Sequence, residues 1–373
     1  MATVQSTLFN KPASRVIALE EAFLHPKLRA LYPAEYVKQL DLIIGRLTDV
    51  GPERIKRMDA AGIDLQVLSH VSPGVQTLDV DLAISLSLEI NDWLGNIINK
   101  YPDRFAGFAM LPMQNPAAAA DELERTVKNL GFKGALINGH TNGRYLDEEF
   151  FSPVLARAEI LDVPIYIHPT DPPQGISDIY YKDYPAMVTG GWGWQVETGT
   201  HLLRMMSGGV FDRYPGLKII IGHMGELIPY NLQRINKSLT LGNWLIGGQK
   251  GMKQSVYYYM RQNVFVTTSG VFDQAAFACA LKEIGINNLM FSVDDPFGDN
   301  FEALEFLAGT VLTSGEKAKL ASGNAERILK LLPSIGARKQ SLSPFLLLNK
   351  KLFSFKARLK SKLGRLILSF LVK

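Results

Sequence analysis

Four short apolar runs in this sequence each end on residues that can bind a metal ion or move a proton. Val16–Leu19 runs into Glu20 and Glu21, Pro164–Ile167 into His168, Leu217–Gly222 into His223, and Leu289–Val293 into Asp294 and Asp295. Each run is rich in β-branched or aromatic residues, the pattern of a strand buried on both faces of a parallel sheet. Pro169 stops the second of these runs directly after His168. Glu, His, His and Asp delivered from the carboxyl ends of four parallel strands describe a metal-centred site at one rim of a barrel. One histidine with one or two carboxylates suits zinc, manganese or magnesium, and no sulfur ligand draws the site toward a softer metal.

Each assignment has a plainer rival. A histidine after an apolar strand is often a capped or core residue, so His168 or His223 alone would carry little weight. Their occurrence together with Glu20 and Asp294 is what favours a metal site. His70 and Asn138 also close apolar runs and are candidates to face a substrate, although His70 could equally pack beneath a loop. His140 reads as a loop residue and His201 as a structural or surface residue on a helix. His25 could reach the site only if its own loop folds back.

The elements that must position these groups alternate strand and helix. Strands are expected over Val16–Leu19, Leu65–His70, Phe105–Leu111, Gly134–Asn138, Val163–Ile167, Leu217–Ile221, Val264–Thr268 and Leu289–Val293. Helices are expected from Pro52 to Gly62, Asp79–Lys100, Ala117–Leu130, Phe150–Leu161, Glu197–Phe211, Tyr230–Trp244 and Gln274–Ile284, with one or two more over Glu302–Leu332. Two long irregular stretches stand out, Phe23 to Val50 and Pro169 to Gly193, the second long enough to act as a lid or binding loop. Eight strands interleaved with helices predict an α/β fold, a (β/α)₈ barrel over residues 16–335, with an N-terminal extension over 1–15.

Composition narrows the function. At 47% apolar residues a sizeable core can be buried. The one cysteine, Cys279, excludes an internal disulfide and a cysteine-based zinc cluster, and together with a polar N-terminus it points to a reducing, cytoplasmic setting. The net charge of +4 conceals an asymmetry, because residues 338–373 hold ten Lys or Arg and no Asp or Glu. The remaining chain, with 30 basic and 36 acidic residues, is mildly acidic and offers no nucleic-acid surface. The basic tail interleaves its charges with Phe345, Leu348, Leu352, Phe355, Leu359 and Leu363, the pattern of an amphipathic helix making peripheral contact with a membrane or docking on a partner. The chain carries no Gly-x-Ser-x-Gly elbow, phosphate loop or dinucleotide fingerprint, which leaves serine hydrolase, kinase and nicotinamide chemistry without support.

At these residues the sequence resembles the amidohydrolase-related decarboxylases, the group that includes the γ-resorcylate, 2,3-dihydroxybenzoate and 5-carboxyvanillate enzymes. The resemblance runs from Val16 to Leu332 and is carried by Ala18–Phe23, Met58–Asp64, Ser72–Gln76, Tyr101–Phe105, Asp162–Pro169, Gly222–Glu226, Thr267–Gly270 and Phe291–Phe297. It implies a metal-dependent barrel of the amidohydrolase type that works without an organic cofactor. It implies one divalent ion held by Glu20, His168 and Asp294, with His223 as a further ligand or an outer partner, and a homodimer or homotetramer. The chain departs from the family at Ala22, where a further histidine often stands. It departs again after Asp294, where Asp295-Pro296-Phe297-Gly298-Asp299 replaces the usual Tyr-Pro-Phe-Glu, and at the loop Asn138–Tyr145. The last two border the substrate and so bear on its ring substituents.

The reaction implied is non-oxidative decarboxylation of a hydroxylated aromatic acid, with Asp294 protonating the ring carbon that bears the carboxylate. His223 and Glu226 would tune that proton delivery, and Phe23 and Phe297 would wall the ring. Two alternatives remain open at this point. The same fold and metal could hydrolyse a lactone, amide or ester, or the barrel could be catalytically silent and serve as a binding protein.

Overall fold

The computed structural model describes residues 14–246 and 252–332. It contains nine parallel strands: β1 (Ile17–Phe23), β2 (Leu65–His70), β3 (Phe105–Gly107), β4 (Ala109–Met110), β5 (Ala135–Asn138), β6 (Ile165–His168), β7 (Ile219–Ile221), β8 (Val264–Thr267) and β9 (Leu289–Met290). They form one three-stranded array, β1-β2-β3, and one six-stranded array, β4 through β9, each in sequence order. The expected strand Phe105–Leu111 is therefore interrupted once, at Phe108. The backbone still passes hydrogen bonds across that point, from Phe108 N–H to Leu68 O at 3.0 Å and from Ala109 N–H to Gly134 O at 2.9 Å.

The other join, between the last strand and the first, is made largely by side chains. Ser292 Oγ accepts the N–H groups of Leu19 and Glu20 at 3.2 and 2.8 Å, and donates to Glu21 Oε1 at 3.0 Å. The Glu21 carboxylate also accepts the backbone N–H groups of Val293 and Asp295, each at 3.0 Å, while Ala22 N–H reaches Asp295 O at 2.7 Å. Eight strand positions thus close in a ring, the (β/α)₈ arrangement expected. Its interior is packed by side chains that include Leu19, Val67, Phe108, Tyr166, Ile220 and Phe265, and Ile328 and Leu329 of the last helix close this cluster. A larger apolar cluster fills the space between strands and helices.

Local chemistry explains the helix boundaries. Pro52 occupies the first turn of Pro52–Ala61, and Gly62 ends it at φ 97°, a left-handed conformation that glycine adopts without a Cβ penalty. Asn115, Asp273 and Asp299 cap Pro116–Leu130, Gln274–Ile284 and Asn300–Gly309 by accepting first-turn N–H groups. The two stretches expected to be irregular contain short helices instead. Pro26–Arg29, Ala34–Gln39 and Ile44–Leu47 lie in the first, and Gln174–Tyr180 and Pro185–Val188 in the second. Pro26 and Pro185 stand in the first helical turn and Pro33 and Pro173 at N-caps, so prolines in these stretches begin helices. The helix expected over Glu197–Phe211 begins earlier, at Gly193, and breaks at Gly208-Gly209 into Gly193–Ser207 and Val210–Arg213.

No helix among the described residues is long and apolar enough to cross a membrane. The basic amphipathic tail expected over 336–373 lies outside the described residues, as does most of the N-terminal extension.

Candidate active site

The site is organised by an irregularity in β1. Pairing with β2 steps from Ala18↔Gln66 to Glu21↔Leu68, so β1 spends three residues where β2 spends two. Ile17 and Leu19 both pack in the barrel interior, and strict alternation would carry Glu21 inward after them. The extra residue re-aims the strand and frees Glu20 to reach the interior. There Glu20 Oε2 accepts hydrogen bonds from the Tyr166 and Ser269 hydroxyls, with Thr267 Oγ1 3.5 Å away. Thr267 Oγ1 in turn lies 2.8 Å from Tyr166 Oη and 2.9 Å from Ser269 Oγ, so the three hydroxyls hold one face of the carboxylate as a network.

The other oxygen, Glu20 Oε1, is buried and has no hydrogen-bond partner. A buried carboxylate oxygen left bare is costly unless a cation completes it. His168 Nε2 stands 3.5 Å from it, because His168 Nδ1 is turned away to donate to its neighbour's carbonyl, Pro169 O, at 2.8 Å. Ligand atoms from Glu20, His168 and Asp294 all lie within 4.8 Å of one another. Two carboxylate oxygens and one imidazole nitrogen fit a divalent ion of the borderline or hard type. These three are among the residues expected to hold a metal ion, with His223 the fourth.

His223 stands beside this group. Its Nε2 is 3.7 Å from Asp294 Oδ2 and 4.0 Å from Glu20 Oε1, and its Nδ1 is 2.8 Å from Glu226 Oε1. Burial opposes a charge on the ring, but the Glu226, Glu20 and Asp294 carboxylates outweigh it and hold His223 well above its usual value. Burial acts the other way on Asp294, and with Glu20 nearby it pushes the carboxyl up to about 6 against the pull of His223. The backbone pays locally for this placement: His223, Met224, Glu226 and Asp294 have φ of 49°, 57°, 53° and 73°, where side-chain-bearing residues are uncommon. His223 is anchored there by its own N–H, which donates to Ser269 Oγ at 3.1 Å.

Two glycines leave room for the arrangement. A Cβ at Gly222 would fall 2.6 Å from Glu20 Oε2 and 2.9 Å from Ser269 Oγ, and one at Gly270 would approach His223 Cδ2 to 3.2 Å.

The adjacent carboxylates face elsewhere. Glu21 closes the barrel, as described above, and Asp295 pairs with Arg46 and lies 3.6 Å from the fully buried Arg54 guanidinium. The ambiguity of each acidic pair thus resolves into one residue for the site and one for the scaffold.

A cavity of about 1000 Å³ opens from this cluster, with Pro169, His223, Glu226 and Asp294 on its lining and Trp194, Met224, Phe272 and Phe297 among its walls. Of the residues expected to meet a substrate, Phe297 lines that cavity and is 48% exposed. Phe23 does not line it, being 1% exposed and stacked edge-on against His70 with ring centroids 5.2 Å apart. His70 has both ring nitrogens on backbone, Nδ1 donating to Val71 O at 2.9 Å and Nε2 accepting from His25 N–H at 3.1 Å, so it braces the first loop. Asn138 sits beside His168 in the β5–β6 register, and its buried Oδ1 has no partner. His140 and His201 take structural roles: His140 Nδ1 accepts Gly143 N–H at 3.1 Å, and the fully buried His201 accepts Leu146 N–H at 3.0 Å.

Sequence reasoning passed over Tyr166, Ser269 and Gly222. Tyr166 carried a signal, since it lies two residues before His168 on the same strand and shares its face. The others depend on tertiary approach and carried none.

Comparison with known proteins agrees with this geometry. Residues 46–331 match the amidohydrolase family model. The chain is 38% identical over 326 residues to the γ-resorcylate decarboxylase of Polaromonas sp. strain JS666, a match covering 84% of this chain and 98% of that protein. A solved structure of 5-carboxyvanillate decarboxylase from Novosphingobium aromaticivorans, complexed with manganese and 4-hydroxy-3-methoxy-5-nitrobenzoic acid, superposes with a TM-score of 0.81 at 35% identity, covering 86% of this chain and 97% of that one. A dihydroxybenzoic acid decarboxylase from Polaromonas sp. JS666, with manganese and 2-nitroresorcinol, gives a TM-score of 0.78 at 35% identity over 86% of this chain and 98% of that one. By sequence and by structure the chain belongs to the amidohydrolase family, among its decarboxylases.

Proposed function

We propose that the protein catalyses the non-oxidative decarboxylation of a hydroxylated aromatic carboxylic acid, with release of CO₂. The observation that carries this reading is the double engagement of Asp294. The same carboxyl belongs to the metal-binding group with Glu20 and His168 and lies 3.7 Å from the His223 ring, which Glu226 backs. The decarboxylases to which the chain is similar support decarboxylation over hydrolysis.

A divalent ion, for which we favour manganese because two related structures hold it, would be bound by Glu20, His168 and Asp294 and would supply Lewis-acid polarisation of substrate oxygens. The protein's own residues do the rest. Asp294, in its carboxylic acid form, delivers a proton to the ring carbon bearing the carboxylate, which interrupts aromaticity at that carbon. The bond to the carboxyl carbon then breaks, CO₂ leaves, and the bonding pair returns to the ring. His223 returns a proton to Asp294 from Nε2, while Glu226 holds Nδ1–H and stabilises the charged ring. Phe297 and Trp194 exclude water beside the ring.

The test is mass spectrometry of a panel of hydroxybenzoates incubated with chelator-treated protein, with and without added manganese. Metal-dependent loss of CO₂ from at least one acid is expected. Turnover of lactones or amides in place of every acid would overturn the proposal.

A further inference from the structure

The cavity is larger and less basic than a simple hydroxybenzoate requires. Its volume of about 1000 Å³ lies at the top of the range that accommodates drug-sized ligands, roughly 300–1000 Å³. Beyond Asp294 it continues between two helices. On one side Ala275, Ala276 and Cys279 form a stripe of small side chains along Gln274–Ile284. On the other stand Leu227, Pro229 and Tyr230, at the start of Ile228–Ile246. Small residues facing Leu227, Pro229 and the exposed Tyr230 leave a largely apolar channel.

Charge points the same way. Among the described residues the cavity lining contains no Lys or Arg, and its carboxylates are Glu226, Asp294, Asp299 and Glu302. With the His223 ring already engaged by Glu226 and Asp294, a second carboxylate on the substrate would find no other cationic side chain there and would face like charge.

We infer that the substrate is an aromatic monoacid whose ring carries an extended apolar substituent, lodged between Gln274–Ile284 and Ile228–Ile246. The inference rests on the decarboxylase reading and specifies its substrate class. A linear alkyl chain removes apolar surface from water on entering this channel, and each buried methylene strengthens binding about fourfold.

The experiment measures kcat/KM of the manganese-loaded full chain on hydroxybenzoates bearing linear alkyl chains from methyl to heptyl, and on an analogue with a second ring carboxylate. The expected result is a rise of about threefold to fourfold per methylene over the first several carbons, with the dicarboxylate at least tenfold poorer than the methyl compound. Ala275→Trp, which fills the channel from an exposed position, should remove that rise. Ala278→Trp, exposed on the same helix but outside the lining, should preserve it. Turnover of the methyl acid with a flat or falling dependence on length, or preference for the dicarboxylate, would overturn this inference and leave the decarboxylase reading intact. Turnover of no acid at all would remove both.

Discussion

His223 is held between two carboxylates of different kinds: Asp294 Oδ2 lies 3.7 Å from its Nε2, and Glu226 Oε1 lies 2.8 Å from its Nδ1. Glu226 is buried and Asp294 half-buried, and both line the cavity. The ring is thereby oriented with one nitrogen committed to the scaffold and the other to the reacting side.

In the proposed mechanism, Asp294→Asn removes the proton that the ring carbon must receive. We expect kcat to fall by about 10²- to 10⁴-fold with the fold unchanged by circular dichroism. Because Asp294 is also in the metal group, metal content measured by mass spectrometry separates the two effects. An Asn variant that keeps its manganese and its turnover would remove Asp294 from the acid role.

Glu226→Gln leaves the imidazole in place but takes away the buried charge that supports its protonated form. A loss of about 10- to 100-fold in kcat is expected, with KM nearly unchanged and partial recovery in Glu226→Asp. A change confined to KM would show that Glu226 shapes the pocket and has no part in proton delivery.

Gly222→Ala tests the crowding around Glu20. The added methyl would sit 2.6 Å from Glu20 Oε2 in the observed geometry, so the carboxylate or its hydroxyl partners must move. Manganese affinity, read by isothermal titration calorimetry, should weaken at least tenfold while secondary structure persists. Unchanged affinity would mean that the hydroxyl network tolerates the displacement.

Acid stability should depend on two histidines away from the metal. Burial lowers His70 to about 4 and His201 to about 3, against 6.5 for an unperturbed ring. Below pH 6.5 the unfolded chain takes up protons that the folded chain refuses, so stability is full above that pH and declines toward pH 4. Each group contributes a slope of about 1.4 kcal/mol per pH unit in that window. His201→Gln, which can still accept Leu146 N–H, should reduce the measured urea-midpoint slope over pH 4–6.5 and leave it unchanged above pH 7.

Much of the site was legible because its groups are chemically conspicuous where they stand. A His at the end of Pro164–Ile167 or an Asp at the end of Leu289–Val293 interrupts an apolar run, and the barrel then places those ends together. The choice within Glu20-Glu21 was not legible from alternation, since it depends on the extra residue in β1 and adjacent carboxylates look alike in either phase. Phe23 looked like a pocket wall because it follows Glu20 so closely, yet the chain turns it into the core against His70. Gly222 gave no sign of its role, because a close approach to Glu20 belongs to two strands far apart in sequence. The short helices within 23–50 and 169–193 were not legible, as proline serves equally to stop a helix and to begin one.

The extra residue in β1 has a consequence for how the chain can change. Glu20 and Glu21 are separated by a single step of strand phase, one facing the candidate metal group and the other sealing the ring against Ser292, Val293 and Asp295. Substitutions elsewhere on β1 trade one side chain for another, but deletion of one residue between Ala18 and Glu21 would exchange inside for outside along the rest of the strand. Insertions and deletions at this one point therefore strike activity and closure together, and the two acidic residues can drift in sequence only as a pair.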